Sequence, residues 1–209
     1  MSFHSWWLFA VTVFLLSATP GPNMLHILSR SVEMGLKRST AAMAGCLSAI
    51  ILVLSASAAG LGTVLLALPG AFDVIRYLGI AYLIWLGIKS WRAKATPLDV
   101  ESKGLPTSHS PIKLFRGGFA IALSNPKLIL FAAAFFPQFI DPQAPQLPQF
   151  GILIATFGTI ETFWFTVYAM GGQSLARLLT RPSLKRAFNR ATSILFIGFG
   201  LALLKARPQ

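Results

Sequence analysis

The chain has 209 residues, of which 55% are hydrophobic and only 11% are charged. Soluble domains carry about 25% charged residues, so this composition excludes an ordinary soluble domain and indicates a membrane protein. The 18 basic residues outnumber the 6 acidic ones, but they fall between apolar runs. That placement is typical of cytoplasmic loops beside a lipid bilayer and does not favour a nucleic-acid partner.

The first predicted span runs from about Trp6 to Ile27, within a stretch, residues 6–29, that contains no Lys, Arg, Asp or Glu. No Lys or Arg precedes Arg30, so the positive n-region of a signal peptide is missing and we expect a mature helix. Trp6 and Trp7 suit a membrane interface. His26 is expected to be a capping or loop residue.

This span is interrupted at Thr19-Pro20-Gly21-Pro22-Asn23. Pro20 and Pro22 each remove a backbone donor, and Gly21 loosens the chain between them, so the helix should break within the membrane. Freed backbone groups are costly in lipid unless protein or a water-filled cavity satisfies them. The break therefore predicts an element that lines a site.

A basic loop over residues 30–38 should lead to a second span over roughly 40–68 and a third over about 74–91. The second span repeats small residues at Ala41, Gly45 and Ala49, which allows close helix packing. Packing within the chain is favoured over a dimer seam, and a homodimer stays possible.

The polar stretch 93–113 is the longest in the chain and predicts a cytoplasmic linker. It divides a single transmembrane domain, residues 1–209, into half-repeats of about 1–92 and 114–209. The fourth predicted span, about 115–140, is interrupted at Asn125-Pro126-Lys127, where Pro126 breaks the helix.

The fifth predicted span covers about 149–171 and carries Glu161 near its centre. A loop over 172–187 should precede the sixth span, about 191–204. The chain is thus expected to be an all-α polytopic membrane protein with six transmembrane helices.

Basic residues set the expected orientation. Three Lys or Arg lie in 30–38, six in 89–116 and five in 177–190, all on one side if the chain crosses six times. The positive-inside rule then places these regions in the cytoplasm and both termini in the periplasm. With three helices per half, the second half enters from the opposite side, so the repeat must be inverted.

The two breaks fall at corresponding positions of the two halves. Asn23 lies about 26 Å and Asn125 about 15 Å from opposite faces of a core about 30 Å thick, so both breaks are expected within the membrane. Interrupted segments at matching positions point to a transport site. We therefore expect the two breaks to face each other.

Such a site offers donors at the start of one helix segment and acceptors at the end of another, which suit a carboxylate and an ammonium group. The candidate substrate-binding residues are Thr19, Gly21, Asn23, Asn125 and Lys127. Lys127 costs about 2.5 kcal/mol or more at membrane depth, so a functional cation is expected. The alternative is that it snorkels and neutralises Glu161.

Glu161 is the acidic residue well inside a predicted span, and it is the candidate proton-coupling group. Its alternative is a structural role, as an ion pair with Lys127 or as a permanently protonated, hydrogen-bonded acid. Cys46 is the single cysteine, so neither an intrachain disulfide nor a thiolate zinc site is available. No cofactor, metal site or catalytic residue is expected.

The sequence resembles the LysE/RhtB family of bacterial amino-acid exporters across nearly the whole chain. The resemblance is carried by motifs in the first, third, fourth and sixth spans, namely Thr19-Pro20-Gly21-Pro22-Asn23, Tyr77-Leu78-Gly79 with Tyr82-Leu83 and Leu86-Gly87, Asn125-Pro126-Lys127 with Phe136-Pro137-Gln138-Phe139, and Asn189-Arg190 with Gly198 and Gly200.

The resemblance implies a six-helix inner-membrane exporter that moves an amino acid or a derivative outward, in exchange for protons. Some members carry an acidic residue near the start of the second helix, where this chain has Gly45-Cys46-Leu47-Ser48. That departure shifts the expected coupling role onto Glu161.

Two other classes remain open at this stage. An intramembrane enzyme would need a nucleophile with a base or clustered metal ligands, and the spans show no His, Asp or Glu cluster. A small-cation or metal-ion exporter is the stronger alternative, although it predicts carboxylate-rich or His-rich spans. The sequence does not identify which amino acid is carried.

Overall fold

The computed structural model describes residues 1–67, 71–92, 110–141, 143–179 and 182–205, and all regular structure in these ranges is helical. The predicted all-α class is therefore confirmed. The pair Pro69-Gly70, which predicts a turn between the second and third spans, lies outside the described residues, as do residues 93–109 of the predicted linker. The helices are α1 (Phe3–Ala18), α2 (Pro22–Met34), α3 (Leu36–Ala67), α4 (Ala71–Arg92), α5 (Pro111–Leu123), α6 (Pro126–Leu130), α7 (Gln146–Leu179) and α8 (Pro182–Lys205).

The first predicted break is confirmed between α1 and α2, which meet at a bend of 51°. Thr19 leaves the helical region (φ −69°, ψ 124°) because a residue before proline is disfavoured in the α conformation. Gly21 is extended (φ −117°, ψ 179°), and Pro22 occupies the first turn of α2. A proline is tolerated there because that turn needs no donor from it.

The second predicted break is confirmed between α5 and α6. Asn125 caps α6, and its side-chain oxygen accepts a hydrogen bond from the Lys127 backbone N–H at 3.0 Å. Beyond α6, the chain forms one π-helical turn (Phe131–Phe135) and one 3₁₀ turn (Phe136–Phe139). The fourth predicted span, which ends at about residue 140, is thus helical to Phe139, but its geometry is irregular because Pro137 lacks the N–H that a continuing α-helix requires.

Two predicted loops are instead largely helical. In the predicted loop 30–38, only Gly35 (φ 80°) separates α2 from α3. In the predicted loop 172–187, α7 passes through a kink at Gly172 (φ 42°) and continues to Leu179, and α8 begins at Pro182. Likewise α5 begins at Pro111, inside the predicted linker. Hydropathy marks only the apolar part of a helix, whereas Lys, Arg and Gln extend helices well beyond it.

Two single helical segments among the described residues are long and apolar enough to cross a membrane, Leu36–Gly60 of α3 and Gln146–Gly172 of α7. The bent pair α1–α2 meets the same test as one broken span. The predicted membrane-spanning character is thus present in α3, in α7, which carries Glu161, and in the broken pair α1–α2, which carries the first break.

Glycines bring α3 and α5 into backbone contact. A Cβ on Gly45 would overlap the carbonyl group of Phe115, and a Cβ on Gly118 would overlap the carbonyl group of Ala42. The small-residue face predicted around Gly45 therefore packs within the chain. Such close approach maximises dispersion contact where lipid supplies no hydrophobic driving force between helices.

Aromatic rings join α1 to the irregular segment after the second break. Phe9 is fully buried, and its ring centroid lies 5.1 Å from that of Phe139 and 6.2 Å from those of Phe131 and Phe136. Phe131 in turn lies 5.2 Å from Phe157 of α7. We call these five rings the aromatic cluster; it holds the N-terminal half of α1 in place.

The α3–α5 contact predicts a large difference between two glycine substitutions. Gly118→Ala should lower the melting temperature of the detergent-purified protein by about 4 °C, because overpacking costs about 1–3 kcal/mol and exceeds the helix-propensity gain of alanine. The matched control is Gly151→Ala, where nothing lies within 4 Å of the added Cβ. The control should melt at the wild-type temperature or above it, and equal melting of the two variants would contradict this packing.

Candidate functional site

The two helix breaks meet through their asparagines. Asn125 Nδ2 donates to Asn23 Oδ1 at 3.0 Å, and the two side chains are only 5% and 6% exposed. Asn125 is held in this orientation because its other amide atom caps α6 at Lys127 N. A buried amide must find partners for both of its polar ends, and Asn125 finds them in Asn23 across the breaks and in the Lys127 backbone.

The side chain of Lys127 reaches from α6 to the end of α1. Its Nζ donates to the backbone oxygen of Leu16 at 2.6 Å. The same oxygen accepts the N–H of Thr19, the C-cap of α1, at 3.1 Å. The last carbonyls of a helix carry partial negative charge, so an ammonium group is stabilised at this position.

Two side chains of α7 bind the next two residues of α1. Ser17 Oγ donates to Glu161 Oε1 at 2.7 Å, and the Tyr168 hydroxyl donates to the backbone oxygen of Ala18 at 2.8 Å. Glu161 is 7% exposed, and its Oε2 is buried without a hydrogen-bond partner. The end of α1 is thus surrounded by one ammonium, one carboxyl and one phenol group.

Lys127 and Glu161 lie close together without bonding to each other. The ammonium group binds Leu16, whereas the carboxyl group binds the neighbouring Ser17. The structure therefore does not contain the direct ion pair between Lys127 and Glu161 that was one of the alternatives. Both groups remain directed at one cavity.

The cavity between the breaks is narrow, with a volume of about 20 Å³, which is room for about one water molecule. Its polar wall consists of the six residues that the sequence analysis singled out for substrate binding or proton coupling, Thr19, Gly21, Asn23, Asn125, Lys127 and Glu161. Its apolar wall consists of Leu16, Met24, Ile50, Leu128, Phe131 and Phe157. The three prolines, Pro20, Pro22 and Pro126, set the breaks and do not line it. The roles of these residues stay predictions.

Sequence reasoning missed several residues of this site. Tyr168 lies two helical turns beyond Glu161 on the same face of α7, a spacing that could have identified it. Ser17 lies next to the first break, where a hydroxyl group is conspicuous in an apolar run. Nothing in the sequence distinguishes the carbonyl group of Leu16 from any other, so that contact could not have been found.

The residues beyond the first break enter the protein interior. His26 is 8% exposed inside α2 and is not the expected loop residue; its ring lies near Gly117 of α5. Arg30 is 4% exposed and forms an ion pair with Glu33 at 3.0 Å. The expected basic loop therefore begins with a buried arginine, because α2 continues past the break to Met34.

A second, shallower groove lies between α3 and α7 and includes Leu47, Ile51 and Gly158. The hydroxyl groups of Thr159 and Thr162 on its wall donate to carbonyl oxygens of their own helix at 2.8 and 2.7 Å. The groove therefore presents an apolar surface, which suits lipid acyl chains better than a polar solute.

Comparison with known proteins identifies the family of this chain. The LysE type translocator family matches residues 14–207. The homoserine/homoserine lactone efflux protein of Salmonella typhi is 36% identical over 207 residues, covering 99% of each chain. An uncharacterized membrane protein of Vibrio cholerae is 32% identical over 209 residues (99% of this chain, 100% of the relative), and the leucine efflux protein of Salmonella choleraesuis is 30% identical over 204 residues (95% and 94%). No solved structure matches the chain. The chain belongs to the LysE type translocator family.

Proposed function

We propose that this protein is a secondary transporter that exports an amino acid or a close derivative across the bacterial inner membrane in exchange for protons. The observation that carries the proposal is the meeting of two helix breaks around one cavity with an ammonium and a carboxyl group on its wall. Two relatives are named for efflux of homoserine or its lactone and of leucine. Homoserine and leucine share an α-ammonium and an α-carboxylate group.

The cavity walls suit the two charged ends of such a substrate. The substrate carboxylate would meet Lys127 and the backbone donors at the start of α2, where the helix dipole favours an anion. The α-ammonium group would meet carbonyl oxygens at the end of α1, together with Asn23 or Asn125. Thr19 and Gly21 complete the polar wall.

We further propose six spans arranged as a 3+3 inverted repeat in one transmembrane domain, with half-repeats of about 1–92 and 114–209 and a cytoplasmic linker between them. Helix pairing supports this arrangement. The extensive α3–α5 contact, between spans two and four, has its symmetry mate in the contacts of α7, span five, with α1 and α2 of span one. The pair α4–α8, spans three and six, maps onto itself.

In this orientation both termini are periplasmic and the basic regions are cytoplasmic. Phe9 and the aromatic cluster then lie on the periplasmic side of the cavity, and His26 and Arg30 lie on its cytoplasmic side. Alternating access would rock one half against the other around the cavity. The π-helical turn Phe131–Phe135 is a suitable hinge, because π-bulges mark functional irregularities in helices.

Glu161 is the proposed proton-coupling residue. One of its carboxyl oxygens accepts from Ser17, and the other is buried without a partner on the cavity side of α7. An ionisable group in this position marks a proton or substrate pathway in membrane proteins. Protonation of Oε2 would neutralise the carboxyl group without breaking the bond from Ser17.

A small-cation or metal-ion exporter is the alternative class, and the site does not favour it. Within the described ranges, no three His, Cys, Asp or Glu side chains come together as metal ligands. The cation already present on the cavity wall, Lys127, would repel a metal ion. Assembly as a homodimer stays a prediction that the helix packing within one chain does not require.

Counterflow in proteoliposomes tests the substrate class and the role of Lys127. Wild-type protein preloaded with an unlabelled amino acid should take up the same labelled amino acid, with homoserine and leucine included in the panel. Lys127→Ala should lower the exchange rate at least about tenfold, because loss of one charge-assisted contact costs about 1.5–3 kcal/mol. The matched control, Lys113→Ala at the exposed start of α5, should exchange normally. Absence of exchange of every amino acid by folded wild type would overturn the proposed function.

Substitution of Glu161 separates coupling from binding. Glu161→Gln keeps an oxygen that accepts from Ser17 but no longer takes up a proton, so counterflow should persist within about twofold of wild type. Accumulation driven by an imposed pH gradient should be lost, whereas Glu33→Gln should retain it. Gradient-driven accumulation by Glu161→Gln at the wild-type level would remove Glu161 from the coupling mechanism.

A further inference from the structure

The ammonium group of Lys127 donates a hydrogen bond to a backbone carbonyl oxygen at the end of α1. Its Nζ lies 2.6 Å from the oxygen of Leu16, which is one of the last acceptors of the helix. This is the same chemical group, a primary ammonium, that an amino-acid substrate would bring to the same end of α1. The proposed function therefore assigns one acceptor to two competing donors.

The side chain of Lys127 lies against the first break. A Cβ built on Gly21 would lie 3.8 Å from both Nζ and Cδ of Lys127, so the lysine side chain runs directly across the start of α2. The contact between Lys127 and Leu16 thus crosses the cavity from α6 to α1. A substrate entering the cavity must meet the lysine where it is bound.

We propose that Lys127 is an internal occupant of the subsite for the substrate's amino group, which an entering amino acid displaces. This inference rests on the proposed function, since it assumes that the cavity binds the substrate. The displaced ammonium group then pairs with the substrate carboxylate, and the substrate ammonium group takes its place at Leu16. In the empty site, Lys127 therefore binds the oxygen of Leu16 in place of the substrate's ammonium group. In the loaded site, Lys127 binds the substrate carboxylate.

This exchange of partners requires a zwitterion. A primary amine without a carboxylate would displace Lys127 and bring a second buried cation to a cavity wall that carries one carboxyl group, Glu161, which is unfavourable. An acid without an amino group would leave the Leu16 oxygen without an ammonium group once Lys127 turned toward it. Only a ligand that carries both groups satisfies the lysine and the helix end together.

The test shortens the lysine side chain by substitution and then adds the removed atoms back as a free cation. Lys127→Ala removes three carbons and the nitrogen of the side chain, and n-propylammonium supplies the same four atoms. Lys127→Met keeps a side chain of nearly the same length and lacks only Nζ, which the ammonium ion supplies. Each variant is purified in detergent and melted with its matching cation, followed by tryptophan fluorescence. At about ten times its dissociation constant, the matching cation should raise the melting temperature by about 4 °C.

The controls separate a specific subsite from general effects of salt and amines. Wild-type protein and Lys113→Ala should show no shift with either cation, because their Lys127 already occupies the subsite. Neither n-propanol, which lacks the charge, nor tetramethylammonium, which lacks an N–H donor, should stabilise the variants. If Lys127→Ala does not fold, the near-isosteric Lys127→Met decides the test alone.

Two results would overturn the inference. One is that neither matching cation stabilises a folded variant more than tetramethylammonium does. The other is an equal shift in wild type or Lys113→Ala, which would place the amine at another site. Because the melting assay uses no amino acid, a failure here leaves the counterflow result intact, and failed counterflow leaves the amine-binding result intact.

Discussion

Backbone amides and carbonyls inside a hydrocarbon core have no water to bind, so each one freed by a break must find a partner within the protein. Pro20, Pro22 and Pro126 create such groups at the ends of helices in both halves of the chain. The structure satisfies them with side chains, as Lys127 and Tyr168 bind carbonyls of α1 and Asn125 caps α6. The cavity and the convergence of polar residues around it follow from this requirement.

The remaining packing keeps the breaks in register. Gly45 and Gly118 lock α3 to α5 through backbone contacts that admit no larger residue. The aromatic cluster fixes the first half of α1 against the segment that follows α6. Within the described part of the chain, the π-helical turn, the 3₁₀ turn that follows it and the kink at Gly172 are places where helical geometry departs from the regular α form. A transporter needs rigid contacts that hold its site and irregular helical turns at which its halves can move.

The site was more predictable from sequence than the helix ends were. Prolines, a lysine and a glutamate are conspicuous in apolar runs, so their spacing predicted that they converge, and the structure brings Lys127, Glu161 and both breaks to one cavity. The hydrogen-bond partners of these residues could not be predicted. Nothing in the sequence distinguishes the Leu16 carbonyl group from others, and an ion pair between Lys127 and Glu161 was a reasonable alternative. The predicted helix ends were wrong near Arg30 and Gly172, because charged residues of good helix propensity extend helices beyond their apolar part.

The central claim is that an amino acid binds between the two helix breaks. An experimental structure of the wild-type protein with a bound amino acid would test it most directly. The account predicts the ligand between Asn23 and Asn125, with its carboxylate on Lys127 and its ammonium group on the oxygen of Leu16. A ligand in the groove beside Leu47 and Gly158, with Lys127 still bound to Leu16, would contradict the account.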